Sequence, residues 1–164
     1  MPHAVTHILI PLILLELIRD YFIKSKKKFP LQYVLICGIA GLLPDIDIFL
    51  SWFGLNIPHR MLTHSLIIPA AFLLIGLIAN NRNKAKFRTL FLVVSFGIFT
   101  HLLIDALVIG PIIPFYPFSQ LAVGLNLVSI VPIPSETLIP GIDAILLIAW
   151  LVHEEIRHKI SSFY

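Results

Sequence analysis

The chain has 164 residues, 58% of them hydrophobic and 13% charged, with a formal net charge of +3 at pH 7 and a mean hydropathy of +0.95. A soluble chain of this size covers itself with about 25% charged residues, so a water-clad globule is excluded and lipid is the solvent for most of the surface. The same figures exclude disorder, and a single cysteine, Cys37, excludes a disulfide scaffold and reads as a space-filling thiol in a helix.

The N-terminal stretch is apolar enough for a secretory signal. It lacks a basic leading segment, however, and Glu16, Arg19 and Asp20 interrupt it before any small-residue cleavage site, so it reads as a retained membrane helix. In chain order, apolar stretches at residues 7–23, 31–53, 62–79, 89–109 and 138–152 predict an all-α, polytopic membrane helix bundle of about five transmembrane helices, forming one integral membrane domain over residues 1–164. The connectors alternate in character. Residues 24–30 and 80–88 are basic, whereas 54–61 and 110–137 are rich in Pro, Gly and aromatic residues.

Antiparallel threading puts both basic connectors and the tail at 157–159 on one side, so eleven of the twelve Lys and Arg residues share a face and only Arg60 lies elsewhere. By the positive-inside rule that face is cytoplasmic, which accounts for the basic charge without a nucleic-acid partner. The connector 110–137 holds five of the twelve prolines and predicts a re-entrant or interfacial segment. Its apolar part at 121–133 is too short for a sixth span and ends in Pro132 and Pro134.

Ionisable side chains inside a bilayer cost about 2.5–3.5 kcal/mol each on insertion scales, so those within the apolar stretches are functional candidates. They are His7, Asp45, Asp47, His64, His101, Asp105 and Asp143, with His59 and Arg60 beside them. Counted from the basic end of each helix at about 1.5 Å per residue, His7, Asp45, His64, His101 and Asp143 fall at depths of about 20–25 Å. Five helices are thus expected to bring imidazole or carboxylate to one level, in the extracytoplasmic third of a hydrocarbon layer about 30 Å thick.

Local spacing adds chemistry to that convergence. His101 and Asp105, in H-L-L-I-D, lie four apart on one helical face. In G-L-L-P-D-I-D, Pro44 disrupts helical hydrogen bonding just before Asp45 and Asp47 and lets two carboxylates turn inward. In P-H-R-M-L-T-H-S, His59 and His64 are five apart, which places His59 ahead of the helix that carries His64. His3 and His7 have helical spacing, with His3 the less secure beside Pro2 and the terminus.

Each of these residues also has a plain structural reading, since a single membrane His or Asp often hydrogen-bonds a neighbouring helix. Glu136 reads as a solvated loop carboxylate. Glu16, Arg19 and Asp20 read as an intrahelical pair system, and His153, Glu154, Glu155 and His158 as a helix terminus in water. The cluster as a whole is different. Three or four imidazoles and three carboxylates at one depth, with Arg60 the only cation nearby, would be costly unless divalent metal balanced them. Mixed His and Asp ligation suits zinc first, with manganese or iron next, and the number of donors points to one or two ions and hence to hydrolytic chemistry.

The three motifs G-L-L-P-D-I-D, H-R-M-L-T-H-S and H-L-L-I-D together resemble the YdjM-like family of membrane-bound, metal-dependent hydrolases. The similarity runs from about Thr6 to Ser119 and includes Thr6–His7 and the P-F-S at Pro117 to Ser119. The family has a glycine where this chain has Met61, and a threonine where it has Leu107 or Val108. The resemblance implies metal ligation by His7, Asp45, Asp47, His64, His101 and Asp105, with His59 a further candidate. A looser similarity to the zinc-dependent phospholipase C scaffold rests on the H-x-x-x-D pair alone and implies a phosphoester substrate.

The expected function is therefore a hydrolase in the plasma membrane of a prokaryote, its site facing outward, acting on a lipid or lipid-linked phosphoester with metal-activated water. Arg60 is expected to bind the phosphate and stabilise transition-state charge. Asp47 or Asp105 is the expected general base, while Thr63 and Ser65 support neighbours or cap a helix. Two other classes share the His/Asp signature, a divalent metal transporter and a non-catalytic structural or regulatory membrane protein. A transporter needs polar groups continuing toward the basic face, and beyond the first helix the inner halves are almost wholly apolar.

Overall fold

The computed structural model of the chain describes residues 4–55, 59–79 and 84–163. His3 and Arg82 lie outside the described residues. The described residues form six α-helices: α1 (Ala4–Phe22), α2 (Leu31–Ala40), α3 (Ile46–Ser51), α4 (Ile67–Ile78), α5 (Ala85–Ile104) and α6 (Ser135–His158). Among the described residues there is no strand, only an isolated antiparallel bridge between Ile112 and Val123. The all-α expectation therefore holds.

Three helical stretches, Leu31–Ser51, Ala85–Ile109 and Ser135–His158, are long and apolar enough to cross a membrane. The 19 residues of α1 match them in length but carry Glu16, Arg19 and Asp20. The stretch expected as a span over 62–79 is helical only over the 12 residues of α4. That helix is about 18 Å long, short of a hydrocarbon crossing. The cause is local. Ser65 donates to the Leu62 carbonyl at 2.8 Å, and the Leu66 amide is taken by the carbonyl of Pro114 at 2.8 Å, so the backbone enters helical bonding only at Ile67.

Two glycines set how closely α1, α2 and α5 pack. A Cβ on Gly41 would lie 2.1 Å from the His7 carbonyl oxygen, and one on Gly97 would lie 2.5 Å from that of Cys37. Only glycine allows these backbones to touch. Below the contact, Leu12, Leu15, Val34, Cys37 and Val93 form an apolar core between the three helices. A second core of Ile98, Leu102 and Ile112 lies under α4, which is tied to α5 by a 2.7 Å hydrogen bond from Ser95 to the Pro69 carbonyl.

The connector after α5 begins with a π-turn at Asp105–Ile109, closed by Gly110 N–H donating to the Asp105 carbonyl at 3.1 Å. Gly110 then takes φ 140°, a conformation that side chains rarely adopt. The chain folds back on itself through the Ile112–Val123 bridge and a 2.6 Å bond from Leu125 N–H to the Ala106 carbonyl. The Tyr116–Pro117 peptide in this connector is cis. Its one helical turn, Leu127–Ile130, is four residues long, so the connector carries no sixth crossing.

Helix α6 joins the bundle through polar contacts that corrects the sequence expectation for both ends of the pair. Thr6 donates to Asp143, Trp150 Nε1–H donates to Glu16 at 2.7 Å, and His158 Nε2 lies 3.1 Å from Asp20. Both numbers rise together, so α1 and α6 run parallel. Asp20 further pairs with Arg19 and Lys26, each at 3.0 Å, and approaches His153 at 3.6 Å. Glu16, Arg19 and Asp20 are thus an interhelical clamp, and His153 and His158 belong to it instead of to a solvated terminus. Residues 143, 150 and 158 recur at seven- and eight-residue intervals, which returns them to one helical face.

A candidate metal centre

The sequence motifs meet at the end of the bundle opposite the lysines. Pro44 opens a 3-10 turn at Leu43–Asp45, and this break between α2 and α3 delivers Asp45 and Asp47. His7 comes from the first turns of α1, His101 from the last turn of α5, and Asp105 from the start of the π-turn. A π-turn is a recurrent feature of functional sites because it re-aims a side chain without ending the helix. His64 stands on the turn before α4, one step earlier than expected, and His59 and Arg60 precede it. Arg60 adopts φ 64°, in the left-handed region that costs a non-glycine residue about 1 kcal/mol. In that conformation its guanidinium reaches Asp105, with Nη2 3.2 Å from Oδ2.

Two triads abut. His7, His101 and Asp105 offer donor atoms within 4.8 Å of one another, as do Asp45, His59 and His64. The rings of His7 and His101 stack at 3.8 Å between centroids. Across the seam, His64 Nε2 lies 3.2 Å from His101 Nε2. His64 Nε2 is also 3.4 Å from Asp45 Oδ1 and 3.6 Å from Asp105 Oδ2, and His101 Nε2 is 3.7 and 3.9 Å from the same two oxygens.

Hydrogen bonding on the far sides of the rings fixes the tautomers. His101 Nδ1 is 2.6 Å from the Gly41 carbonyl oxygen, so it must carry a proton and donate it. Thr63 spends its one hydroxyl proton on Asp47 Oδ2 at 2.7 Å, so at 3.0 Å from His64 Nδ1 its oxygen accepts and His64 Nδ1 donates. In the neutral rings, both Nε2 atoms therefore present bare lone pairs to each other, with two carboxylate oxygens beside them. Such an arrangement is repulsive unless positive charge lies at its centre.

Asp47 is almost fully buried, and both its oxygens are occupied: Oδ2 by Thr63, and Oδ1 by His59 Nδ1 at 2.9 Å. The structure thus places it behind His59 and His64, in contact with their Nδ1 sides. His59 Nε2 has no hydrogen-bond partner among the described residues, and the same is true of His7 Nδ1, Asp105 Oδ1 and Arg60 Nε and Nη2, the last being close to Asp105 without hydrogen-bond alignment. His7, His64, His101 and Asp105 are 3% exposed or less, whereas the side chains of Asp45, His59 and Arg60 retain 23%, 30% and 24%. The centre is consequently open on that one side. Asp143 does not join the seam; it accepts from Thr6, the neighbour of His7.

The partner that sequence reading missed is the Gly41 carbonyl. Its one signal was its position at the head of G-L-L-P-D-I-D. The close approach of α2 and α5 at Gly97 is what brings it to His101.

Comparison with known proteins gives a match to one family model, described as YdjM inner membrane protein, over residues 1–160. The match extends beyond the motif-bearing region to include α6. No curated protein and no solved structure gives a match.

Proposed function

The chain belongs to the YdjM inner membrane protein family, and on that premise we propose that it is a membrane-embedded, metal-dependent hydrolase of a lipid or lipid-linked phosphoester, with its site at the extracytoplasmic end of the bundle. The observation that carries this reading is the facing pair of imidazole lone pairs, His64 Nε2 and His101 Nε2, flanked by Asp45 and Asp105. Donors at zinc-ligand distances of about 2.0–2.2 Å around a tetrahedral ion stand about 3.3–3.6 Å from one another. Five of the six spacings in this set are 3.2–3.9 Å. Charge agrees, since three carboxylates against the one guanidinium of Arg60 leave two negative charges for a divalent cation to balance.

His64, His101, Asp45 and Asp105 would hold the ion, with His7 supporting Asp105 from its other oxygen at 3.4 Å. The chemistry such an ion supplies is Lewis acidity toward a phosphoryl oxygen and acidification of a water molecule. The remaining roles fall to the chain. Asp47 holds His59 by Nδ1, so in the neutral ring the buried, unpartnered Nε2 is bare and would take the proton released by the attacking water and return it to the departing oxygen. Arg60, whose side chain is partly exposed while its buried Nε and Nη2 lack hydrogen-bond partners among the described residues, would take phosphate oxygens. Transport is disfavoured because Leu12, Leu15, Val34, Cys37 and Val93 form an apolar layer between this centre and the Asp20 clamp.

Elemental analysis of gently purified protein tests the centre. One equivalent of divalent metal per chain is expected, and a His64→Ala/Asp105→Ala double variant is expected to lose it. Stoichiometric metal retained by the double variant would remove the site. Phosphate release from lipid phosphoesters in mixed micelles tests the reaction. Metal-loaded protein without turnover on them would leave a non-catalytic role.

A further inference from the structure

At the opposite end of the bundle, a cavity of about 770 Å³ opens between the starts of α2 and α5. Lys27, Lys28 and Lys86 line it together with Gln32, Tyr33 and Ile36. The Tyr33 hydroxyl donates to the Lys86 carbonyl at 3.3 Å, which ties the starts of α2 and α5 across the cavity. Among the described residues no carboxylate lines it. Lys26 is engaged by Asp20, but Lys27, Lys28 and Lys86 make no ion pair among the described residues. Three like charges held around one cavity repel one another, and an anion between them relieves the repulsion.

We propose that this cavity binds the phosphate headgroup of an anionic phospholipid. Basic pockets between membrane helices recognise anionic headgroups through just this combination of lysines with apolar walls. A lipid is favoured over free phosphate by what continues from the cavity. Ile36 forms part of its wall, and the same helix carries Leu35 and Ile39 at 56% and 64% exposure, an apolar track for acyl chains. Neither α2 nor α5 begins with a side-chain cap, so the first-turn amides add to the positive field without providing a competing anion.

Native mass spectrometry of the detergent-purified full chain, titrated with phosphatidylglycerol or with phosphatidylcholine of the same acyl chains, tests this assignment. Wild type is expected to bind the anionic lipid at least tenfold more tightly than the zwitterionic one. The Lys27→Gln/Lys28→Gln/Lys86→Gln variant is expected to lose that preference. Each lysine near a headgroup contributes about fivefold, so the triple loss is on the order of a hundredfold. A Lys24→Gln/Lys84→Gln control, which removes lysines that do not line the cavity, is expected to keep the preference. Equal preference for both lipids in wild type overturns the proposal, as does a per-charge loss in the control matching that in the cavity variant. Inorganic phosphate binding alone, and displacing the lipid at millimolar concentration, would assign the cavity to free phosphate and overturn the lipid.

Discussion

Replacing Asp47 by Asn separates a residue that positions ligands from one that is a ligand. The carboxylate accepts from His59 Nδ1 at 2.9 Å and from Thr63 at 2.7 Å, and Thr63 in turn accepts from His64. An amide of the same shape has one acceptor oxygen where the carboxylate has two. Either His59 or Thr63 then loses its acceptor, and if Thr63 reorients, the tautomer of His64 is no longer held. A hydrogen bond to a charged group contributes about 1.5–3 kcal/mol, which corresponds to roughly a 10–100-fold change in affinity. That range is also typical for partners that orient a metal-ligating histidine. Competition for zinc against a chromophoric chelator in detergent solution measures it. Asp47→Asn is expected to bind zinc 10–100-fold more weakly than wild type, and His101→Ala to lose binding altogether. An affinity within twofold of wild type would refute the positioning role. A loss as complete as in His101→Ala would make Asp47 itself a ligand.

Three further outcomes follow from the geometry. His59→Asn is expected to keep full metal content while lowering kcat by about 10²–10⁴-fold, the range for loss of a general acid; metal loss measured by elemental analysis would instead make His59 a ligand. Gly97→Ala puts a methyl group 2.5 Å from the Cys37 carbonyl and is expected to destabilise by about 1–3 kcal/mol. It should also weaken metal binding by moving Gly41 away from His101, so a thermal melt in detergent and a zinc titration should shift together. Asp20→Asn removes the negative charge shared by Arg19, Lys26 and His158 and one of the two oxygens that accept from them. It is expected to cost about 1.5–3 kcal/mol of stability with metal content unchanged, and an unshifted melting temperature would show that the clamp does not hold α6.

The cluster of acids and imidazoles was largely legible because its residues violate the apolar background of their own segments. His7, Asp45, His64, His101 and Asp105 are each expensive where they stand, so hydropathy alone singles them out and a count along the helices brings them to one level. The level was right even where the local structure differed. His64 sits on a turn and not inside a span, because the Leu66 amide bonds the Pro114 carbonyl from a connector 48 residues away. No local periodicity reports a backbone bond of that kind. Asp47 and Asp45 were alike in sequence, two apart after one proline, and only the positions of Thr63 and His59 turned one of them away from the seam.

The clamp between α1 and α6 shows the limit most directly. Glu16, Arg19 and Asp20 already pair plausibly within one helix, and His153 and His158 resemble any polar helix end, so each set has a sufficient local explanation. Composition and spacing determined the lipid solvent, the helical class, the gathering of basic residues and the outlying acids and imidazoles, since all of these follow from the transfer cost of single side chains. Which ring nitrogen is bare, which carboxylate stands behind it, and which side chains join α6 to α1 were decided by tertiary contact alone. Those properties depend on atoms brought together from distant parts of the chain through the close backbone approach at Gly41 and Gly97.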